Sequence, residues 1–163
     1  MADGGASTFI MLITGLLISS AVSALLITEW TNTAKVAQVQ QRGAQLSSEL
    51  GIEFAGDPMM VDFDNSTSTE TITFYALNTG QHPMDETQLS VFVDGRSPTA
   101  ISVSLVGTAT EWNSNVLLEI ELQYTGVSGY AEGDDVALYA VATSETIGGL
   151  SSSASLNTEV RLS

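Results

Sequence analysis

The 163-residue chain carries 4 Lys+Arg against 19 Asp+Glu, a formal net charge of -15, with one His and no Cys. That balance argues against phosphate-backbone recognition, which needs clustered Lys and Arg, because Lys35, Arg42, Arg96 and Arg161 are scattered along the chain. It removes thiol nucleophiles, Cys-based zinc sites and disulfides, and it leaves a self-repulsion that salt would screen, the condition proteins of high-salt organisms exploit.

Residues 1–7 read as a short N-terminal segment. Its Met1-Ala2-Asp3-Gly4-Gly5 start has no basic residue, so a cleaved secretory signal is not expected. Residues 8–28, from Thr8 to Thr28, contain no charge and read as a transmembrane helix, since a run of that length spans a bilayer core of about 30 Å. The anchor side chains are Phe9, Ile10, Leu12, Leu16, Leu17, Val22, Leu25 and Leu26. Gly15, Ser19 and Ser23 recur at every fourth position, a small-residue row along which a second helix can approach closely. Trp30 stands just outside the apolar run, where an interfacial aromatic belongs.

Residues 29–50 are polar but periodic, with Val36, Val39, Gly43, Leu46 and Leu50 spaced by three and four, so a helical stem is predicted to continue the membrane helix. Val36, Val39, Leu46 and Leu50 form the seam of that stem, and Gly51 is its expected stop.

Beyond Gly51 the apolar period changes to two. Met59–Phe63, Ile72/Phe74/Ala76, Leu89/Val91/Val93, Ile101/Val103/Leu105, Val116 to Tyr124, Val136/Leu138/Ala140 and Leu156/Val160/Leu162 each alternate with polar residues. Asn78-Thr79-Gly80, Asp94-Gly95, Ser128-Gly129 and Gly148-Gly149 supply the breaks. About seven short strands over residues 51–163 predict an all-β, immunoglobulin-like sandwich head, with each sheet burying one face.

Chemistry-bearing motifs are sparse. Asp62-Phe63-Asp64-Asn65 starts like a calcium loop, but Thr67 replaces the turn glycine and Thr73 the bidentate Glu. The acidic run Tyr130 to Asp135 reads as a solvated turn, and His82, the single imidazole, as a surface turn residue. No catalytic, cofactor-binding or metal site is expected, and no small-molecule substrate. Asn65-Ser66-Thr67 is an N-glycosylation sequon in a polar loop. The positive-inside count of Lys35 and Arg42 points the head inward, but long domains translocate largely regardless of charge. The sequon, the Ser/Thr-rich head and the missing Cys favour the outside.

One apolar N-terminal helix prolonged into a polar stem and followed by a β head resembles the archaeal type IV pilin superfamily. Phe74-Tyr75-Ala76-Leu77-Asn78-Thr79-Gly80 and Leu89-Ser90-Val91-Phe92-Val93-Asp94-Gly95 resemble the archaellum accessory family FlaG/FlaF, its FlaG (ArlG) branch more closely. The resemblance implies a non-enzymatic component of the archaellum motor stator: a single-pass membrane protein whose head lies beneath the S-layer, self-associates, and joins a FlaF-like partner that grips the S-layer. Filament subunits of this superfamily carry a basic residue before the processing glycine, which Asp3-Gly4-Gly5 lacks. Two further readings stay open: an extracellular pilus or archaellum filament subunit whose helix packs in the filament core, and an anchored binding module, for which Trp112 is one candidate exposed loop aromatic although core or strand-edge packing is the more frequent fate of such a residue.

Overall fold

A computed structural model describes residues 4–126 and 129–163, so Asp3 and the Ser128 side of the expected Ser128-Gly129 turn lie outside the described residues. Helix α1 runs Gly4–Glu49 without a break, because no proline occurs before Pro58 and Gly15 and Gly43 are isolated among good helix formers. The chain divides into two compact units, residues 1–42 and 43–163. The second unit begins inside the helix.

Among the described residues eight strands follow: β1 Ile52–Ala55, β2 Asp62–Asp64, β3 Thr69–Asn78, β4 Met84–Val93, β5 Ala100–Leu105, β6 Leu117–Thr125, β7 Asp135–Ser144 and β8 Ser153–Arg161. All strand pairs are antiparallel. One sheet runs β1-β3-β6-β5, with β2 also on β3, and the other β4-β7-β8. Together they form a β-sandwich.

The expected strand at Met59–Phe63 is shorter and shifted, and β1 was not foreseen. Both corrections have one cause. β1 and β2 are halves of a single broken edge strand: Ala55 pairs with Tyr75 and Asp62 with Thr73, so residues 56–61 are spooled out where β3 supplies only Phe74. Gly56 at φ 120° and Pro58 make that break.

The alternating residues point inward as predicted. Ile72, Phe74, Ala76, Leu118, Ile120 and Leu122 from one sheet meet Val91, Val93, Val136, Leu138, Ala140, Leu156 and Val160 from the other, all buried. Asp94 (φ 49°) and Gly95 (φ 75°) form a two-residue turn closed by reciprocal bonds between Val93 and Arg96, 3.0 and 2.9 Å. One corner of the sandwich is tied across the sheets. Val61 N–H donates to Arg161 C=O (3.0 Å), Arg161 N–H to Pro58 C=O (2.7 Å) and Phe63 N–H to Ser163 C=O (3.0 Å).

Candidate functional site

Along α1 the anchor residues Phe9, Ile10, Leu12, Leu16, Leu17, Val22, Leu25 and Leu26 are all exposed, Leu16 at 71%, and Trp30 is exposed as well. A helix that is apolar on every side and uncovered by its own chain is built for a nonaqueous surrounding. By length and composition it can cross a membrane. Its hydroxyls are prepared for that medium: Thr14 donates to Ile10 C=O (2.8 Å), Ser20 to Leu17 C=O (2.9 Å), Ser23 to Ser19 C=O (2.8 Å) and Thr28 to Ala24 C=O (2.9 Å). Gly15, Ser19 and Ser23 are exposed, with nothing near a Cβ built on Gly15.

The expected stem seam is divided. Val36 and Val39 are exposed, whereas Leu46 is buried and Leu50 half-buried against the sandwich core, both within residues 43–163. Those two leucines are occupied by the chain itself.

Beside them the end of the helix meets a joint built around Asn78. The inward row 72, 74, 76 continues to 78, so Asn78 enters the core and is fully buried. Its side chain makes three bonds: Nδ2 donates to the carbonyls of His82 (2.9 Å) and Trp112 (2.8 Å), and Oδ1 accepts from Gly80 N–H (2.9 Å). The turn so shaped clasps the end of α1. Thr79 and Gly80 N–H donate to Gly51 C=O (3.0 and 3.1 Å), and Gln81 N–H donates to Glu49 C=O (2.8 Å), capping orphan helix carbonyls. His82 Nε2 lies 2.7 Å from Glu49 Oε2. Gln45 first, and then His82, hold the Glu49 carboxyl below its ordinary value.

Gly51 therefore ends the helix for a different reason from the one expected. A Cβ on Gly51 would fall 2.7 Å from Thr79 Oγ1, and one on Gly80 would fall 2.7 Å from Gly51 N and 2.9 Å from Glu49 O. Close backbone approach demands the glycine at 80, and at 51 the Thr79 hydroxyl takes the place of a Cβ; neither position is a left-handed cap. His82 is likewise half-buried and paired rather than a free surface residue. The signal was present in the sequence: an Asn at an inward-facing register position is a buried polar group that needs a network.

Trp112 is not a surface aromatic. It is fully buried, and its Nε1 donates to Val116 C=O at 3.1 Å, so it anchors the core beside the joint. Asn65 is exposed in the β2–β3 loop, where Asp64 Oδ1 accepts from Ser66 N–H (2.7 Å) and Thr67 Oγ1 donates to Thr69 C=O (2.7 Å). In the acidic run, Asp134 accepts from Ala131 N–H (2.8 Å) and Asp135 holds Arg161 in a bidentate pair at 2.7 Å. That pair keeps the Asp135 carboxyl below its ordinary value. Among the described residues no group of three His, Cys, Asp or Glu is placed to hold a metal.

The sequence matches archaeal-type flagellin over residues 2–148. The chain belongs to the archaeal-type flagellin family. That family is structural and non-enzymatic, associated with membranes and with assembly into filaments or oligomers. No curated protein matches the chain. Among solved structures it is similar to the crystal structure of the yeast GGA1 GAE domain with P21, at 16% identity over 61% of this chain and 86% of that one, with a TM-score of 0.30.

Proposed function

We propose that this archaeal-type flagellin relative is a membrane-anchored structural component of the archaellum motor, acting in its stator. The observation that carries this reading is the joint. The Phe74 to Gly80 stretch, which carries the FlaG/FlaF resemblance, ends in the turn that clasps Glu49 and Gly51. A component that resists torque needs its helix end held in the head, and this turn supplies hydrogen bonds, the His82–Glu49 side-chain contact and close backbone approach around Glu49 to Gly51.

In this reading residues 8–28 span the membrane, 29–50 form the stem, and the head of residues 51–163 lies outside the cytoplasm beneath the S-layer. Phe9, Leu12, Leu16, Leu17, Leu25 and Leu26 resist extraction because moving them into water exposes apolar area at roughly 25 cal/mol per Å². Gly15, Ser19 and Ser23 form a face for a neighbouring helix in the membrane, and Val36 and Val39 form one in the stem. A FlaF-like protein and the S-layer are the partners the resemblance suggests. Asn65 is a glycan acceptor, detectable as a mass increase on its peptide that disappears in Asn65→Gln.

A second reading, a filament subunit with α1 packed in the filament core, is favoured by the name of the matching family, and its exposed apolar side chains serve equally well there. One measurement separates the two. Cells are fractionated into membranes and sheared filaments, and the N-terminal peptide is read by mass spectrometry. An intact start confined to membranes supports the stator component. A start shortened to near Gly5 or Ala6 in sheared filaments overturns it in favour of the filament subunit.

A further inference from the structure

The sandwich has four sheet edges, and three are guarded in ways that discourage strand addition. β4 is bulged between Asp85 and Leu89 and carries the Asp85 and Glu86 carboxylates. The β1/β2 edge is broken by residues 56–61 and carries Glu53, Asp62 and Asp64. β8 is tied across the sheets at its end and carries Glu159 and Arg161. Bulges, breaks and charges are the usual protections of an edge.

β5 has none of these. Its sequence Ala100-Ile-Ser-Val-Ser-Leu105 is uncharged, it pairs with β6 in unbroken register, and among the described residues no strand pairs with its other side. Val106 N–H donates to Leu117 C=O (3.0 Å) in the same ladder, so the alternation of an antiparallel pair turns the N–H and C=O of Ile101, Val103 and Leu105 away from β6. The side chains of these three residues are also only half-buried, although they pack against the core.

We infer that β5 is the self-association edge of the head, pairing antiparallel with β5 of a second copy about a two-fold axis at Val103. The strand is nearly palindromic about that residue. Val103 then faces Val103 of the second copy, Ile101 faces Leu105, and Ser102 faces Ser104, so apolar meets apolar on the inner face and hydroxyl meets hydroxyl on the outer. The outward backbone groups gain partners, and the half-buried side chains gain cover.

Charge permits a second copy at this edge. A chain of net charge -15 repels itself, and the outer face of the larger sheet carries Glu53, Asp62, Asp64, Glu119 and Glu121 with no Lys or Arg on its strands. Two β5 strands laid between the β6 strands hold Glu119 and Glu121 about 14 Å from their counterparts, beyond the screening length of about 8 Å at physiological ionic strength. The inference deepens the assembly reading above and rests on it for the presence of many copies.

The chain has no cysteine, so cross-linking starts from a clean background. Full-length Ser102→Cys and Ser104→Cys chains are co-expressed in membranes and oxidised, because facing residues of a non-hydrogen-bonded pair lie within disulfide reach. The expected result is a covalent dimer from the mixture, with little from either variant alone or from Thr87→Cys on the guarded edge. Adding Val103→Pro removes an outward N–H that the chain itself does not use, and is expected to cut the dimer roughly tenfold while each head still folds. A mixture that cross-links no better than Thr87→Cys overturns the pairing. So does a dimer that survives Val103→Pro, or a cysteine captured by a different protein. A dimer formed in membranes of a chain that cell fractionation places outside the archaellum leaves this pairing standing and sinks only the stator reading.

Discussion

The helix and the sandwich use the same apolar residue types to opposite ends. Leu16 and Leu17 on α1 are exposed to their surroundings, whereas Leu118, Leu122 and Leu138 in the sandwich are fully covered by facing strands. The sandwich closes its own core, so its stability belongs to the chain. The helix between Thr8 and Thr28 leaves its apolar surface to lipid or to neighbouring helices, so its energetics belong to an environment the chain does not supply. One test of that contrast is whether damage on one side stays there.

The largest effect is expected at Trp112. Trp112→Ala empties a fully buried site and removes the Nε1 bond to Val116. It should destabilise the head by about 3–5 kcal/mol in urea unfolding of the detergent-solubilised chain, with membrane retention unchanged. Loss of membrane retention in the same variant would break the contrast. The reciprocal change, Leu17→Arg, places a charge in the apolar run at a cost of roughly 3 kcal/mol to membrane insertion. It is expected to shift the chain from the carbonate-resistant to the extractable fraction while leaving the urea midpoint of the head where it was.

Asn78→Ala tests the joint. It strips a bond each from the His82 and Trp112 carbonyls and from Gly80 N–H, and should cost about 2–3 kcal/mol for the three bonds, with Gly80 N–H still on Gly51 C=O and the Trp112 carbonyl still on Met84 N–H. Hydrogen exchange should also rise at Thr79, Gly80 and Gln81, whose N–H groups clasp the helix end. Unchanged protection there would show that the helix end holds without the turn.

The smallest effect has the opposite sign. Tyr124 is buried edge-on to Tyr130, and its hydroxyl has no hydrogen-bond partner among the described residues. Burial accordingly pushes its ionisation upward. Tyr124→Phe should stabilise the head by up to about 1 kcal/mol, read as a raised urea midpoint, because the desolvated hydroxyl is removed with little loss of packing. A lowered midpoint would mean that the hydroxyl is satisfied in solution.

Period and length decided what the sequence by itself determined. A charge-free run of 21 residues specifies a helix suited to a bilayer, and strict alternation specifies strands together with the face each one buries. That is why the inward rows from Ile72 to Ala76 and from Leu118 to Leu122 were legible without coordinates. Local chemistry also gave the Asp94-Gly95 turn, since Asp and Gly tolerate the positive φ that a two-residue hairpin turn demands.

Only the tertiary structure decided what depends on residues distant along the chain. Glu49 and Gly51 meet residues 79–81 through backbone groups, and Glu49 meets the His82 side chain 33 residues away in the chain, so Gly51 read as a helix stop and His82 as a surface turn residue. Trp112 is assigned to the core by the carbonyl of Val116 and the buried Asn78, not by its own neighbours. The break between β1 and β2 and the open edge of β5 follow from sheet order, which alternation cannot encode because every strand carries the same period. Periodicity tells a strand which face to bury, but only pairing determines which edge is left without a partner.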